Sequence, residues 1–188
     1  TYVGELGWEL HMPIGVLGAV FDLLMEKGKP YGLEPAGYRA LESLRLEKFY
    51  RAWGSDITPN DNPFEAGLGW AVKLRGERAF LGREAMERQS KGRLNKKLAC
   101  FISDDPEVVL LGRETILRDG EEAGYLTSGG FGYTIGKPIG FGYIRKPDGL
   151  TEDFIRAGRY ELIVAQDRVS CKVALGALYD PASARVKA

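Results

Sequence analysis

The period of the hydropathy pattern changes once along this chain, near Lys96. Before that point apolar residues recur at helical spacing. After it come short runs, "KKLACFIS", "ETILRDGEEAGYLTS", "IGFGYI" and "GRYELIVAQDRVSCKVAL", alternating or β-branched and broken by Gly, Asp and Pro. Such runs read as strands, and "RDGEEAGYL" reads as a hairpin turning at Asp119-Gly120. Several short strands that close on one another imply a small antiparallel β-barrel or sandwich. No helix is expected beyond residue 96 except a turn at "LTEDFIRAG". The fold class is therefore α+β, a mixed α/β portion over 1–92 and a β-barrel over 93–188, divided near the polar, basic "QSKGRLNKK".

Within the first portion, Val16, Leu17, Val20, Phe21, Leu23 and Leu24 place a helix over 14–27, stopped at Lys27-Gly28. A second helix is expected over 36–47, with Ala40, Leu41, Leu44 and Lys48 on one side, and a third over "GREAMERQSKG". "WAVKL" reads as a short extended piece. The opening "TYVGELGWEL" alternates with a period of two, which predicts a half-buried strand carrying Glu5 and Glu9 on one face. Opening inside such a stretch, without Met, reads as a piece of something larger.

Lys plus Arg equals Asp plus Glu, 26 against 26, so no global field favours nucleic acid or an anionic membrane. No apolar run is long enough for a transmembrane helix. Cys100 and Cys171 lack CxxC spacing and the chain has one His, so the expectation is two reduced, buried thiols and no metal site.

Few residues offer chemistry. Glu5 lies between Gly4 and Gly7, where an ionised carboxylate can accept from a flat donor group; an exposed Glu on an edge strand is the ordinary alternative. Arg45 falls on the flank of the second helix and can offer its fork to a carboxylate, or pair with Glu42 one turn back. Trp53 and Trp70 can stack on a ring or fill a core. "TSGGFGYTIG" lacks phosphate-loop spacing and reads as a turn region in which Gly supplies positive φ.

Taken in order, "GELGWEL", "AGYRALESLRLEK", "RAWGSDITPNDNPFEAGLGWAVKL", "FLGREA" and "TSGGFGYTIGKPIGFGYI" resemble the aminomethyltransferase, or glycine cleavage T-protein, family. The likeness is nearer to the C-terminal, folate-binding region of the flavin-linked sarcosine and dimethylglycine dehydrogenases, and it covers essentially the whole chain. It implies that Glu5 bonds the pterin of tetrahydrofolate, that Arg45 helps hold the folate, that Trp70 and Tyr2 line its cavity, and that Trp53 has a weaker part there. The family's catalytic Asp belongs to a segment before Thr1, and Asp56 is not that residue, so no catalytic residue is expected in this fragment.

For the whole protein the resemblance implies that FAD, carried by an upstream domain, oxidises an N-methyl amino acid to an iminium. Tetrahydrofolate would then capture the one-carbon unit. The fragment alone would be inactive and could form a homodimer. The compartment implied is the cytoplasm in a bacterium or the mitochondrial matrix in a eukaryote. A stand-alone aminomethyltransferase working with a lipoyl carrier and a non-catalytic regulatory homologue are the alternatives.

Overall fold

Six antiparallel strands close into a barrel over the second half of the chain, in the order β1-β4-β3-β2-β5-β6 with β6 returning to β1. They are β1 (Leu94–Ser103), β2 (Thr115–Arg118), β3 (Glu121–Gly132), β4 (Lys137–Leu150), β5 (Tyr160–Val164) and β6 (Asp167–Ala174). The computed structural model describes residues 1–187. Helices α1 (Ile14–Gly28), α2 (Tyr38–Glu47) and α3 (Arg83–Lys91) precede the barrel. Helix α4 (Glu152–Ala157) joins β4 to β5, and a single turn, α5 (Ala184–Lys187), ends the described chain. The β2–β3 hairpin turns at Asp119 and Gly120, at φ 53° and 88°, the paired left-handed geometry that suits a two-residue hairpin loop. Helix α4 starts where the Thr151 hydroxyl accepts the Phe154 N–H at 3.1 Å.

The interior of the barrel is filled by Phe101, Ile116, Leu126, Ile144 and Leu162, with Tyr160 and Cys171 at its margin. Gly140 and Gly142 on β4 make room for two of these. A Cβ on Gly140 would stand 2.5 Å from Leu126 Cδ1, and one on Gly142 2.6 Å from Ile116 Cδ1. Small and large residues thus alternate across a narrow barrel. Strands β1 and β4 are buried on their outer face as well. There Leu98, Cys100, Ile139, Phe141 and Tyr143 pack with Leu46 and Phe49 from the end of α2. Cys100 and Cys171 are free and buried, and burial raises both thiols, Cys171 to about 12.

Helix α2 docks on the barrel through Ser43, Leu46 and Glu47 instead of the Leu41/Leu44 stripe, which is only half-buried. The glycines of β3 decide this. A Cβ on Gly130 would lie 2.9 Å from Leu46 Cδ1, and one on Gly132 3.1 Å from Glu47 Cγ. These glycines therefore sit within a strand and admit a helix. Positive φ belongs to Gly136 in the following turn. Glu47 then caps the β3–β4 hairpin, accepting the N–H groups of Thr134 and Ile135 at 2.6 and 2.9 Å.

Two further expectations are corrected. Residues 2–10 form turns and irregular backbone instead of a strand, because Gly4, at φ 77°, folds the segment so that its N–H reaches Thr1 O at 3.1 Å. "WAVKL" begins as one turn of 3-10 helix, Gly69–Ala71. Helix α1 forms where periodicity places it, yet buries none of its residues and exposes Ile14, Val16, Leu17, Phe21, Leu23 and Leu24. Among the described residues no helix is long and apolar enough to cross a membrane.

Candidate functional site

Helix α2 ends in an unusual way, and the end builds one wall of a cavity. Phe49 adopts φ 57°, a left-handed conformation that a bulky residue rarely takes, and its N–H closes on Leu46 O at 3.1 Å. The ring of Phe49 meets Phe141 edge-on at 4.9 Å, and this packing holds the strained backbone in place. The chain reverses there and presents Tyr50 and Arg51 to a cavity of about 460 Å³. Tyr2, Lys48, Ile57, Leu68 and Trp70 complete its near walls, and the tail residues Leu175, Gly176 and Ala177 form the far one. Four segments distant in sequence therefore meet. Tyr2 and Tyr50 stack at 6.2 Å with 21° between their planes, while Trp70 stands 80% exposed at the rim.

Beneath this cavity lies a buried polar knot. Arg45 and Asp56 are both fully buried and pair at 2.6 Å. Arg45 Nη1 also donates to Tyr50 O at 3.0 Å, and Nη2 donates to Ser128 Oγ at 2.7 Å and to Glu42. Asp56 accepts in addition from the Ala52 N–H at 2.9 Å and from the hydroxyls of Thr127 and Ser128 at 2.5 and 2.7 Å. A bulge between Leu126 and Ser128 aims those two hydroxyls at one carboxylate. Burial would lower the pKa of Arg45. The Glu42 hydrogen bond and the charges of Asp56 and Glu42 instead hold it above its ordinary value. The Tyr143 hydroxyl donates to Asp56 O at 2.9 Å, which ties the loop Ala52–Ile57 to the barrel.

Of the five residues expected at the site, Tyr2 and Trp70 line the cavity. Glu5 stands outside its wall, partly exposed, with its carboxylate 3.9 Å from Arg185 Nε. Gly4, one residue before it, packs against Lys48, which lines the cavity. Trp53 is 72% exposed, and its backbone bridges to Ile57, which lines the cavity. Arg45 differs most from expectation, since both its Nη groups are used inside the protein. Its pairing with Glu42 is the alternative that the helical spacing offered. The pairing with Asp56 depends on a loop whose course no local pattern shows.

Sequence reasoning passed over Tyr50, Arg51 and the tail residues Leu175, Gly176 and Ala177. Glu47, four residues before Arg51, would be its natural partner on a continuing helix. The helix instead stops at Glu47, and that carboxylate turns to the β3–β4 hairpin. Arg51 bonds only main-chain carbonyls, those of Phe49 at 2.6 Å, Ala66 at 2.9 Å and Gly67 at 3.4 Å.

A helical segment followed by a closed six-stranded barrel is the arrangement of a known class. The family model described as "GCVT N-terminal domain" matches residues 1–76, and "Glycine cleavage T-protein C-terminal barrel domain" matches residues 96–180. The chain belongs to the glycine cleavage T-protein family. Among curated proteins, mitochondrial sarcosine dehydrogenase of Mus musculus is 42% identical over all of this chain and 20% of its own length. The aminomethyltransferase of Halothermothrix orenii is 40% identical over 77% of this chain and 40% of its own. The pyruvate dehydrogenase phosphatase regulatory subunit of Mus musculus is 37% identical over 93% of this chain and 21% of its own. The chain thus spans about a fifth of the length of the sarcosine dehydrogenases it matches. The crystal structure of aminomethyltransferase T from Bartonella henselae superposes with a TM-score of 0.73 at 24% identity, covering 90% of this chain and 45% of that one, which shows the shared fold.

Proposed function

We propose that this chain is the tetrahydrofolate-binding region of a flavin-linked demethylating dehydrogenase acting on sarcosine, dimethylglycine or a related methylated amine. It serves there to capture the released one-carbon unit as methylenetetrahydrofolate. The observation that carries the reading is the meeting of Tyr2, Tyr50 and Trp70 around one cavity, in a chain of this family, with a cation on the same wall. The residues fit the ligand. Stacked aromatic walls suit a flat pterin, and the volume lies within the usual range of small-molecule sites, about 300–1,000 Å³. Trp70 and Tyr2 are assigned to the faces of the pterin, Trp53 to the rim, and Glu5, which stands just outside the wall, to an N–H edge that protrudes past it.

Arg45 is assigned a positioning part, holding the loop that carries Tyr50 and Ile57. FAD is assigned to the whole protein, and no residue of these 188 is assigned to it. The matrix of a mitochondrion or a bacterial cytoplasm is the setting proposed. Self-association of the isolated segment belongs to the same reading. The match to sarcosine dehydrogenase over the whole chain favours the dehydrogenase branch over a stand-alone aminomethyltransferase.

Titrating the intact protein with tetrahydrofolate, followed by tryptophan fluorescence, tests the proposal. Glu5→Ala and Trp70→Ala are each expected to weaken binding by about 1.5–3 kcal/mol while leaving flavin reduction by the amine nearly unchanged. Undiminished affinity in both variants would reject the site. Absence of amine-dependent flavin bleaching in the intact protein would favour the regulatory alternative.

A further inference from the structure

The cavity wall carries one cation that no carboxylate contacts among the described residues. None of its lining residues is acidic, and two are cationic, Lys48 and Arg51. Lys48 is neutralised, since its Nζ reaches Asp180 O at 2.8 Å and Asp180 Oδ2 at 3.4 Å. Arg51 has no carboxylate within ion-pair distance among the described residues. The nearby Asp56 is committed to Arg45, Thr127 and Ser128. Main-chain carbonyls satisfy the hydrogen bonds of a guanidinium and leave its net charge unbalanced. Burial accordingly lowers the pKa of Arg51. Phe49 covers the guanidinium at 4.0 Å and Leu68, Ile57 and Leu175 line the same cavity, so an anion arriving there would meet the charge in a weakly polarisable setting.

We infer that Arg51 is the counter-ion for a carboxylate of the ligand that occupies this cavity, in place of Arg45. Resting on the folate reading, that carboxylate belongs to the glutamyl tail. Tyr2, Tyr50 and Trp70 take the flat part of the ligand and Arg51 its charged end. A purely structural Arg51, stapling Ala66 and Gly67 to the turn after α2, would affect folding alone and would not distinguish charged ligands from neutral ones.

Calorimetric titration of the intact protein at low and high salt separates these possibilities. The probes are formyltetrahydrofolate, p-aminobenzoylglutamate, and a methyltetrahydropterin that lacks any carboxylate. Arg51→Gln is expected to weaken the two glutamate-bearing probes about tenfold or more and to flatten their salt dependence. It should leave the methyltetrahydropterin unchanged, while Arg51→Lys retains most of the affinity because it keeps the charge. Formyltetrahydrofolate bound equally well by the wild type and a folded Arg51→Gln protein overturns the inference, and so does failure of the wild type to bind either glutamate-bearing probe. If Arg51→Gln does not fold, salt-insensitive binding of p-aminobenzoylglutamate by the wild type overturns it instead. Binding of p-aminobenzoylglutamate that depends on Arg51, with no affinity for the pterin, upholds the inference and removes the folate reading.

Discussion

Arg45 and Asp56 bring two charged side chains into the fully buried interior, and each is held by four or more polar contacts. A buried pair of this kind contributes little net stability compared with apolar residues, yet losing one partner strands the other. Asp56→Ala is therefore expected to lower unfolding stability by about 3–5 kcal/mol, measured by denaturant titration. Arg45→Met combined with Asp56→Ala should cost less than the sum of the two single changes. Additive losses would show that the pair is not coupled. Asp61 is a second test at this scale. Burial would raise its carboxyl, but hydrogen bonds from Lys96 and Thr58 and the Lys96 charge hold it below its ordinary value of 3.8. Because the folded pKa is the lower one, the stabilisation is complete above the ordinary value and is lost as pH falls through the depressed one. Asp61→Asn should accordingly flatten the acid limb of stability below about pH 4, as followed by thermal unfolding in a pH series.

At the scale of elements, the contact between α2 and β3 governs the site, since the cavity wall begins where α2 ends. Gly132→Val would drive a side chain into Ile139 Cδ1, where even a Cβ stands at 2.4 Å, and against Glu47. Overpacking of this kind costs about 1–3 kcal/mol. Lifting α2 should also move Phe49 and Arg51, so ligand affinity is expected to fall along with melting temperature. Gly140→Val overpacks the barrel interior against Leu126 without touching α2. It should lower the melting temperature and leave affinity nearly unchanged when titrated well below the transition. Equal effects of both variants on binding would refute the coupling.

Across the whole molecule, the two ends of the described chain meet at the cavity. Tyr2 lies on one wall and Leu175, Gly176 and Ala177 on another, while the N–H groups of Leu178 and Tyr179 bond Glu47 O at 2.9 and 3.1 Å. Asp180 then reaches Lys48 and neutralises it. Asp180→Asn is expected to leave two free cations facing the cavity and to tighten binding of an anionic ligand several-fold, on the order of what a partly screened charge supplies at low salt. The gain should vanish at high salt. Unchanged affinity at low salt would mean that the tail does not set the potential of the cavity.

The barrel, helices α1, α2 and α3 and the Asp119-Gly120 turn were legible in the residues because each rests on a local rule: a hydrophobic period, a stop signal or a backbone angle; the single turn α5 was not. The stretches that carry the family resemblance point to Tyr2 and Trp70, and both line this cavity. The rest was decided by long-range packing. Arg45 is committed to Asp56 because a loop eleven residues on folds beneath α2, and Arg51 is left without a carboxylate because Glu47 turns to a hairpin distant in sequence. Which cation stays free depends on which carboxylates fall within reach. Only the folded chain sets those distances.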